Sequence, residues 1–151
     1  RGGRATYHGP NQLVIYPIVS LDQPDFKNLK QKDVMSYLTS FEKAVMVALE
    51  ESGFENIYLK EDTEVDSEGR KLLNRGLWAN SKKVAAFGIA LRRWVTYHGC
   101  AINLYTDAKA FSGINPCGYQ TSDVGSLDQI KEVDLDLLKK NLQQQIELYL
   151  S

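Results

Sequence analysis

Cysteine is scarce in this sequence, with Cys100 and Cys117 the two thiols among 151 residues. One bridge at most is too sparse for a disulfide framework, and two thiols are too few for a zinc cluster, so a reducing compartment is the expectation. An excess of charge of one sign is also lacking. Eighteen Lys and Arg against 19 Asp and Glu leave a net charge of −1, which offers no global field for a polyanion and argues against nucleic acid as a partner. No apolar run reaches the roughly 18 to 20 residues of a bilayer span, and the opening RGGRATYHGP lacks the apolar core of a signal peptide. Neither membrane insertion nor a freshly secreted form is expected. What is present is a 43% hydrophobic fraction, enough for the core of one soluble domain without staples. The sequence opens at Arg1 in what already reads as loop and strand, so a single domain that is incomplete at its N-terminus is expected over 1–151.

Periodicity sets the elements. Gln12 to Ser20 is rich in β-branched and aromatic residues and carries Pro17 late in the run, as a buried strand ending near the proline would. From Asp33 to Ser52 the residues Val34, Leu38, Phe41, Val45, Ala48 and Leu49 recur at helical steps, with Asp33 as N-cap and Gly53 as stop. Asn56 to Leu59 reads as a short strand, and the polar, acidic stretch Lys60 to Arg75 as an exposed loop. Gly76 to Ala79, Lys83 to Leu91 and Trp94 to Leu104 read as an antiparallel meander turning at Ala79-Asn80-Ser81 and Arg92-Arg93. Ala108 to Gly125 has the composition of a loop, and Asp134 to Leu150 returns to helical spacing. Neighbouring strands with helices before and after predict an α+β fold with a mixed, largely antiparallel sheet.

Both histidines lie in the phrase TYHG, once at Thr6 to Gly9 and again at Thr96 to Gly99. Glycine beside histidine lets backbone approach a ligand closely, although a histidine at a strand end more often serves a structural hydrogen bond. Arg1-Gly2-Gly3 has the makings of a cradle for an acyl or phosphate oxygen, but neither the phosphate loop nor the dinucleotide fingerprint is present. Cys117 stands between Pro116 and Gly118, a turn that displays a nucleophile, whereas Cys100 lies in an apolar strand and reads as core. A free thiol with pKa about 8.5 is mostly protonated at neutral pH and needs a neighbouring cation to react well. Lys82 and Lys83 are the candidates. Strand alternation predicts Lys83 on the inward face of Ala85 and Phe87, with Lys82 on the other side. An edge-strand lysine that blocks pairing with another chain is the plainer alternative.

Taken in order, RGGRATYHGPNQ, KKVAAFG, HGCAIN and INPCGY resemble the octanoyltransferases of lipoate biosynthesis over nearly the whole chain. The resemblance implies the fold of the biotin and lipoate protein ligases. It implies transfer of an octanoyl group from octanoyl-acyl carrier protein to a lysine of lipoyl domains, those of 2-oxoacid dehydrogenases and the glycine cleavage H protein, with no cofactor and no metal. By position, Cys117 matches the acyl-thioester nucleophile and Lys83 the lysine that lowers its pKa. Arg1, Gly2, Gly3 and Arg4, continuing through Ala5, Thr6, Tyr7 and His8, match a first substrate-binding segment. Ala86, Phe87 and Gly88 match a second, and Gly99, Cys100 and Ala101 a third. Cys100 stands where the family more often has leucine, consistent with packing against an acyl chain. Asn11 replaces the usual glycine of HGPGQ, and Gln120 to Leu127 departs from the family pattern after the cysteine. The implied location is the cytoplasm in a bacterium and the mitochondrion in a eukaryote. Two other functions remain open on sequence: an ATP-dependent lipoate-protein ligase of the same fold, and a non-catalytic domain that binds acyl carrier protein or lipoyl domains.

Overall fold

The computed structural model describes residues 8–22, 29–65, 69, 71–106 and 123–151. Among the described residues, five strands form one antiparallel sheet in the order β1-β5-β4-β3-β2. They are β1 (Gln12–Ile15), β2 (Tyr58–Val65), β3 (Lys71–Ala79), β4 (Lys82–Arg92) and β5 (Val95–Asn103), with helices α1 (Val34–Glu51) and α2 (Leu135–Leu150). The α+β expectation holds.

Both helices begin at an aspartate cap. The Asp33 carboxylate accepts from the Ser36 N–H at 2.9 Å and the Asp134 carboxylate from the Leu137 N–H at 3.0 Å, which satisfies N–H groups that the first turn of a helix leaves unpaired. The apolar stripe of α1 lies against the sheet, where the ring of Phe41 meets that of Phe87 edge-on at 5.5 Å. Leu138, Leu142 and Leu150 of α2 join the same core as Leu77, Ala85, Cys100 and Ile102. Asn141 Nδ2 donates to Ser52 Oγ at 3.0 Å, and Gln145 Nε2 to the Glu51 carboxylate at 2.9 and 3.0 Å, so α2 is also held to the end of α1.

The first hairpin turns where the sequence indicated, and the second turns at Arg93-Trp94, one residue later than the expected Arg92-Arg93. Asn80 and Ser81 have φ of 48° and 63°, and Arg93 and Trp94 of 50° and 64°, as two-residue hairpin loops that match strand twist require. Two expectations need correction. The stretch from Lys60 to Arg75 is not a loop, because most of it belongs to the β2–β3 hairpin, paired from Tyr58 opposite Trp78 to Val65 opposite Lys71. β2 lies at the sheet edge, where polar and charged side chains are tolerated, so apolar alternation is weak. The Gln12 to Ser20 strand is also shorter than expected. Regular pairing ends at Ile15, the chain passes through Pro17, and Ser20 rejoins β5 as one bridge to Val95. Buried Thr96 holds this irregular run by donating to Pro17 O and accepting from Val19 N–H, each at 2.9 Å.

Beneath α1 sits a buried ionic cluster that apolar periodicity did not reveal. Arg75 of β3 forms a two-pronged pair with Glu42 of α1, Nε to Oε1 at 2.6 Å and Nη2 to Oε2 at 2.7 Å, and donates a third bond to Glu61 at 2.6 Å. Burial pushes the Glu42 carboxyl upward, and the hydrogen bonds and charge of Arg75 pull against it.

Candidate functional site

Lys83 stands second in β4 and is buried, with 5% of its surface exposed. Its orientation differs from the alternation argument. Leu77 lies opposite Ala85 but Trp78 lies opposite Lys83, so Val84 is an extra residue in β4. A bulge of this kind reverses which face the following side chain takes. Lys83 therefore shares a face with Trp78 and Gly76, not with Ala85 and Phe87. Gly76 corroborates this, because a methyl group at its α-carbon would overlap Lys83 Cε and stand 3.1 Å from Nζ. The bare glycine gives the ammonium its seat. In register, that seat is level with Ala86, Ala101 and Val14. Lys82 pairs with Ala79 and remains exposed.

The main chain at Lys83 anchors a distant stretch. Its carbonyl accepts from the Gly125 N–H at 3.0 Å, and Lys83 forms a parallel bridge with Val124. Asn103 secures the same junction: its Nδ2 donates to Gly125 O at 2.9 Å, while its Oδ1 accepts from Gln12 Nε2 at 2.8 Å. Gln12 Oε1 in turn lies 3.2 Å from His8 Nδ1, within hydrogen-bond distance. Three motif phrases far apart in sequence thus meet through two carboxamides. Neither Gln12 nor Asn103 was singled out from sequence, although both close motif phrases, HGPNQ and HGCAIN. Asn11 does not take a positive φ, so replacing the family glycine introduces no left-handed strain there, and its carbonyl accepts from the Leu104 N–H at 2.9 Å.

The remaining sequence candidates divide between the two sides of the sheet. Ala86 and Ala101 pair with each other on the face of Gly76 and Lys83, with Gly88 opposite Gly99 two residues along. Phe87 and Cys100 pair on the helix side, where Cys100 is part of the core. Burial pushes the Cys100 thiol well above its usual range, nearby Glu42 adds to this, and Lys83 opposes it, so this cysteine is a poor nucleophile. Gly99 accommodates another segment: any side chain there would collide with the Ile15 carbonyl of β1. Arg1, Gly2, Gly3, Arg4, Ala5, Thr6, Tyr7 and Cys117 lie outside the described residues. Among the described residues no group of three or more His, Cys, Asp or Glu is arranged to hold a metal, and no helix is long and apolar enough to cross a membrane.

The fold and the sequence both have known counterparts. By structure, the chain is similar to lipoate-protein ligase A bound with ATP, with a TM-score of 0.71 and 20% identity over 99% of this chain and 56% of that one. It is also similar to a lipoate protein ligase from T. acidophilum with bound lipoic acid, with a TM-score of 0.68 and 19% identity. At these identities the likeness establishes the fold. By sequence, an octanoyltransferase of Bdellovibrio bacteriovorus is 38% identical over 97% of this chain and 67% of its own length. One from Rickettsia felis is 42% identical over 86% of this chain and 57% of its own length. The chain thus spans about three fifths of the length of the curated relatives it matches. The family model described as lipoyl protein ligase A/B catalytic domain matches residues 1–147, and with the shared sheet, the motif phrases meeting at Lys83 and these relatives, the chain belongs to that family.

Proposed function

We propose that this chain is the greater part of an octanoyltransferase that works through a covalent acyl-cysteine. The observation that carries the reading is the seat of Lys83: a buried ammonium over Gly76 whose own backbone holds Val124 and Gly125. Val124 lies seven residues after Cys117, and seven residues of chain span at most about 25 Å, so the thiol is within tether of the lysine. A cation beside the thiol favours thiolate at neutral pH.

In the first step the Cys117 thiolate attacks the carbonyl carbon of octanoyl-acyl carrier protein. A new carbon–sulfur bond forms, the old one breaks, and the carrier leaves as its thiolate. This exchange of one thioester for another is nearly isoenergetic. In the second step the neutral amine of an acceptor lysine on a lipoyl domain attacks the acyl-cysteine. An amide forms, Cys117 leaves as thiolate, and the amine's proton returns to the thiolate or to solvent. Stability of the amide drives the sequence without ATP. The names of the 38 to 42% identical relatives favour transfer over ligation, and the buried seat of Lys83 over Gly76 favours turnover over mere binding.

Peptide mass spectrometry after incubation of the full-length protein with octanoyl-acyl carrier protein tests the reading. The expected adduct is octanoyl on Cys117 and none on Cys100. An adduct on Cys100, or ATP-dependent formation of an acyl adenylate with no adduct, overturns it.

A further inference from the structure

We propose that Asp128 is a positioning residue for the transfer: its carboxylate ties together the chain before and the chain after Cys117, and so limits where the thiol can stand relative to Lys83. The proposal rests on the transferase reading for the role of Cys117. Thr106 lies eleven residues before the cysteine and Asp128 eleven after it, yet the two are in direct contact. The Thr106 N–H donates to Asp128 Oδ2 at 3.0 Å, and the Thr106 hydroxyl donates to Oδ1 at 3.1 Å. The hydroxyl of buried Ser126, also beyond the cysteine, donates to the same Oδ1 and lies 3.0 Å from the Thr106 hydroxyl. A hydroxyl has one proton to give, whereas an ionised carboxylate only accepts, so Asp128 can take the protons of both. Gln129 Nε2 adds a bond to Thr106 Oγ1 at 3.2 Å, and the Asp128 N–H donates to Leu104 O at 3.0 Å.

Capping explains only part of this cluster. Ser126 and Asp128 begin a single 3-10 turn, Leu127–Gln129, but the Ser126 side chain makes no capping bond to that turn, and its hydroxyl goes to the carboxylate instead. The junction held in this way is itself bonded to the lysine strand. Gly125, next to Ser126, donates its N–H to Lys83 O at 3.0 Å and accepts from Asn103 Nδ2 at 2.9 Å. Asn103 closes β5 three residues before Thr106. The chain therefore leaves for Cys117 from the end of β5 and returns from it onto β4, beside the residue whose ammonium sits over Gly76. A thiol whose two tethers are pinned side by side samples a smaller volume than one whose tethers can part, and the carboxylate is the pin that spans them.

The test uses the full-length protein and reads the pH profile of Cys117 alkylation by iodoacetamide, with transfer from octanoyl-acyl carrier protein measured alongside. Asp128→Ala should slow alkylation at neutral pH about threefold to tenfold and move the profile towards that of an ordinary thiol. It should lower kcat about tenfold while changing the donor KM less than about twofold, as loss of positioning does. Thr106→Val, at an exposed position, removes one hydroxyl and should act in the same direction by less. In a Lys83→Met background Asp128→Ala should add nothing, because the carboxylate acts through the meeting of thiol and lysine. Asp33→Ala, which removes a helix-capping aspartate elsewhere, should leave the profile unchanged. Wild-type profiles in Asp128→Ala and Thr106→Val proteins that urea melts show to be folded would assign the cluster to stability alone and overturn the proposal. An equal shift in Asp33→Ala, or a further shift on top of Lys83→Met, would overturn it as well. If Asp128→Ala does not fold, Thr106→Val decides. A wild-type protein that takes no octanoyl on Cys117 overturns the transfer reading, while the alkylation profiles still decide whether Asp128 places the thiol beside Lys83.

Discussion

Arg75→Met should destabilise the fold more than its position in a polar stretch suggests. The side chains of Arg75 and Glu42 are 10% and 2% exposed, whereas that of Glu61, the third member, is 49% exposed. Removing one partner of a buried pair typically costs about 3 to 5 kcal/mol, because the other charge is left uncompensated. For a domain of this size, 1 kcal/mol corresponds to about 2 to 4 °C, so the melting temperature should fall by roughly 6 to 20 °C. Glu42→Gln leaves Arg75 its contact with Glu61 and should lie near the lower end, at about 3 kcal/mol. The double variant Glu42→Leu with Arg75→Met leaves no buried charge and should lose far less than the two single losses added. The pH dependence has a definite sign. Burial already raises the Glu42 carboxyl, and Arg75 opposes that rise, so its removal lets the carboxyl rise further. A group raised in the folded state stabilises fully below its unfolded value, and that contribution is lost as pH climbs through the folded value. Arg75→Met should therefore recover stability on acidification towards the glutamate range and be weakest at neutral pH. Urea melts at pH 5 and pH 8 with a constant m-value would measure this. A loss below about 1 kcal/mol, an additive double variant, or a deficit equal at the two pH values would refute the reasoning.

Lys83→Met should slow alkylation of Cys117 at neutral pH, with recovery as pH approaches that of an ordinary thiol, whereas the exposed Lys82→Met should do little; the reverse order would break the proposed pairing. Gly76→Ala should act like Lys83→Met, because the methyl group takes the space of Lys83 Cε; alkylation with the wild-type pH profile would count against the lysine seat. Asp33→Ala removes the α1 cap and should cost about 1 kcal/mol, read from a denaturant midpoint, with an unchanged midpoint as the contrary result. Asp128 loses some ground to burial, but hydrogen bonds from Ser126 and Thr106 hold its carboxyl below the ordinary value. Its contribution is present above the unfolded aspartate value and lost as pH falls through the lowered one, so Asp128→Asn should flatten the acid side of the stability curve; an unaltered acid limb would show that this network is not coupled to folding.

Both helices, the β3–β4 and β4–β5 turns and the core position of Cys100 were legible because they depend on local signals: apolar spacing, caps and hydrophobic runs. The β2–β3 hairpin was not, since an edge strand leaves one side to water and its polar residues look like those of a loop. The face taken by Lys83 was hidden for a different reason. Alternation gives the direction of a side chain only while the pairing stays in step, and the slip at Val84 exists only between two strands. Glu42 did leave a signal: it falls four residues after Leu38 and three before Val45, inside the apolar stripe of α1, where a lone acid calls for a buried cation. That cation lay in the stretch read as a loop. The motifs named Lys83, Ala86 and Ala101, which the sheet places on one face, but not Gln12 and Asn103, which hold three segments together.

The slip at Val84 also divides the changes that β4 can absorb into two kinds. Substituting Val84 with another apolar residue alters volume and leaves the strand's count unchanged, so it is a problem of packing and nothing more. Deleting it changes the count and leaves the faces alone: Lys83 then directly precedes Ala85, so alternation places the two on opposite sides and Trp78 meets Lys83 in plain register. The core loses one buried side chain, and the ammonium keeps its seat. The lysine therefore owes its face to the partner it meets across the hairpin, and β4 should tolerate being one residue shorter at this position.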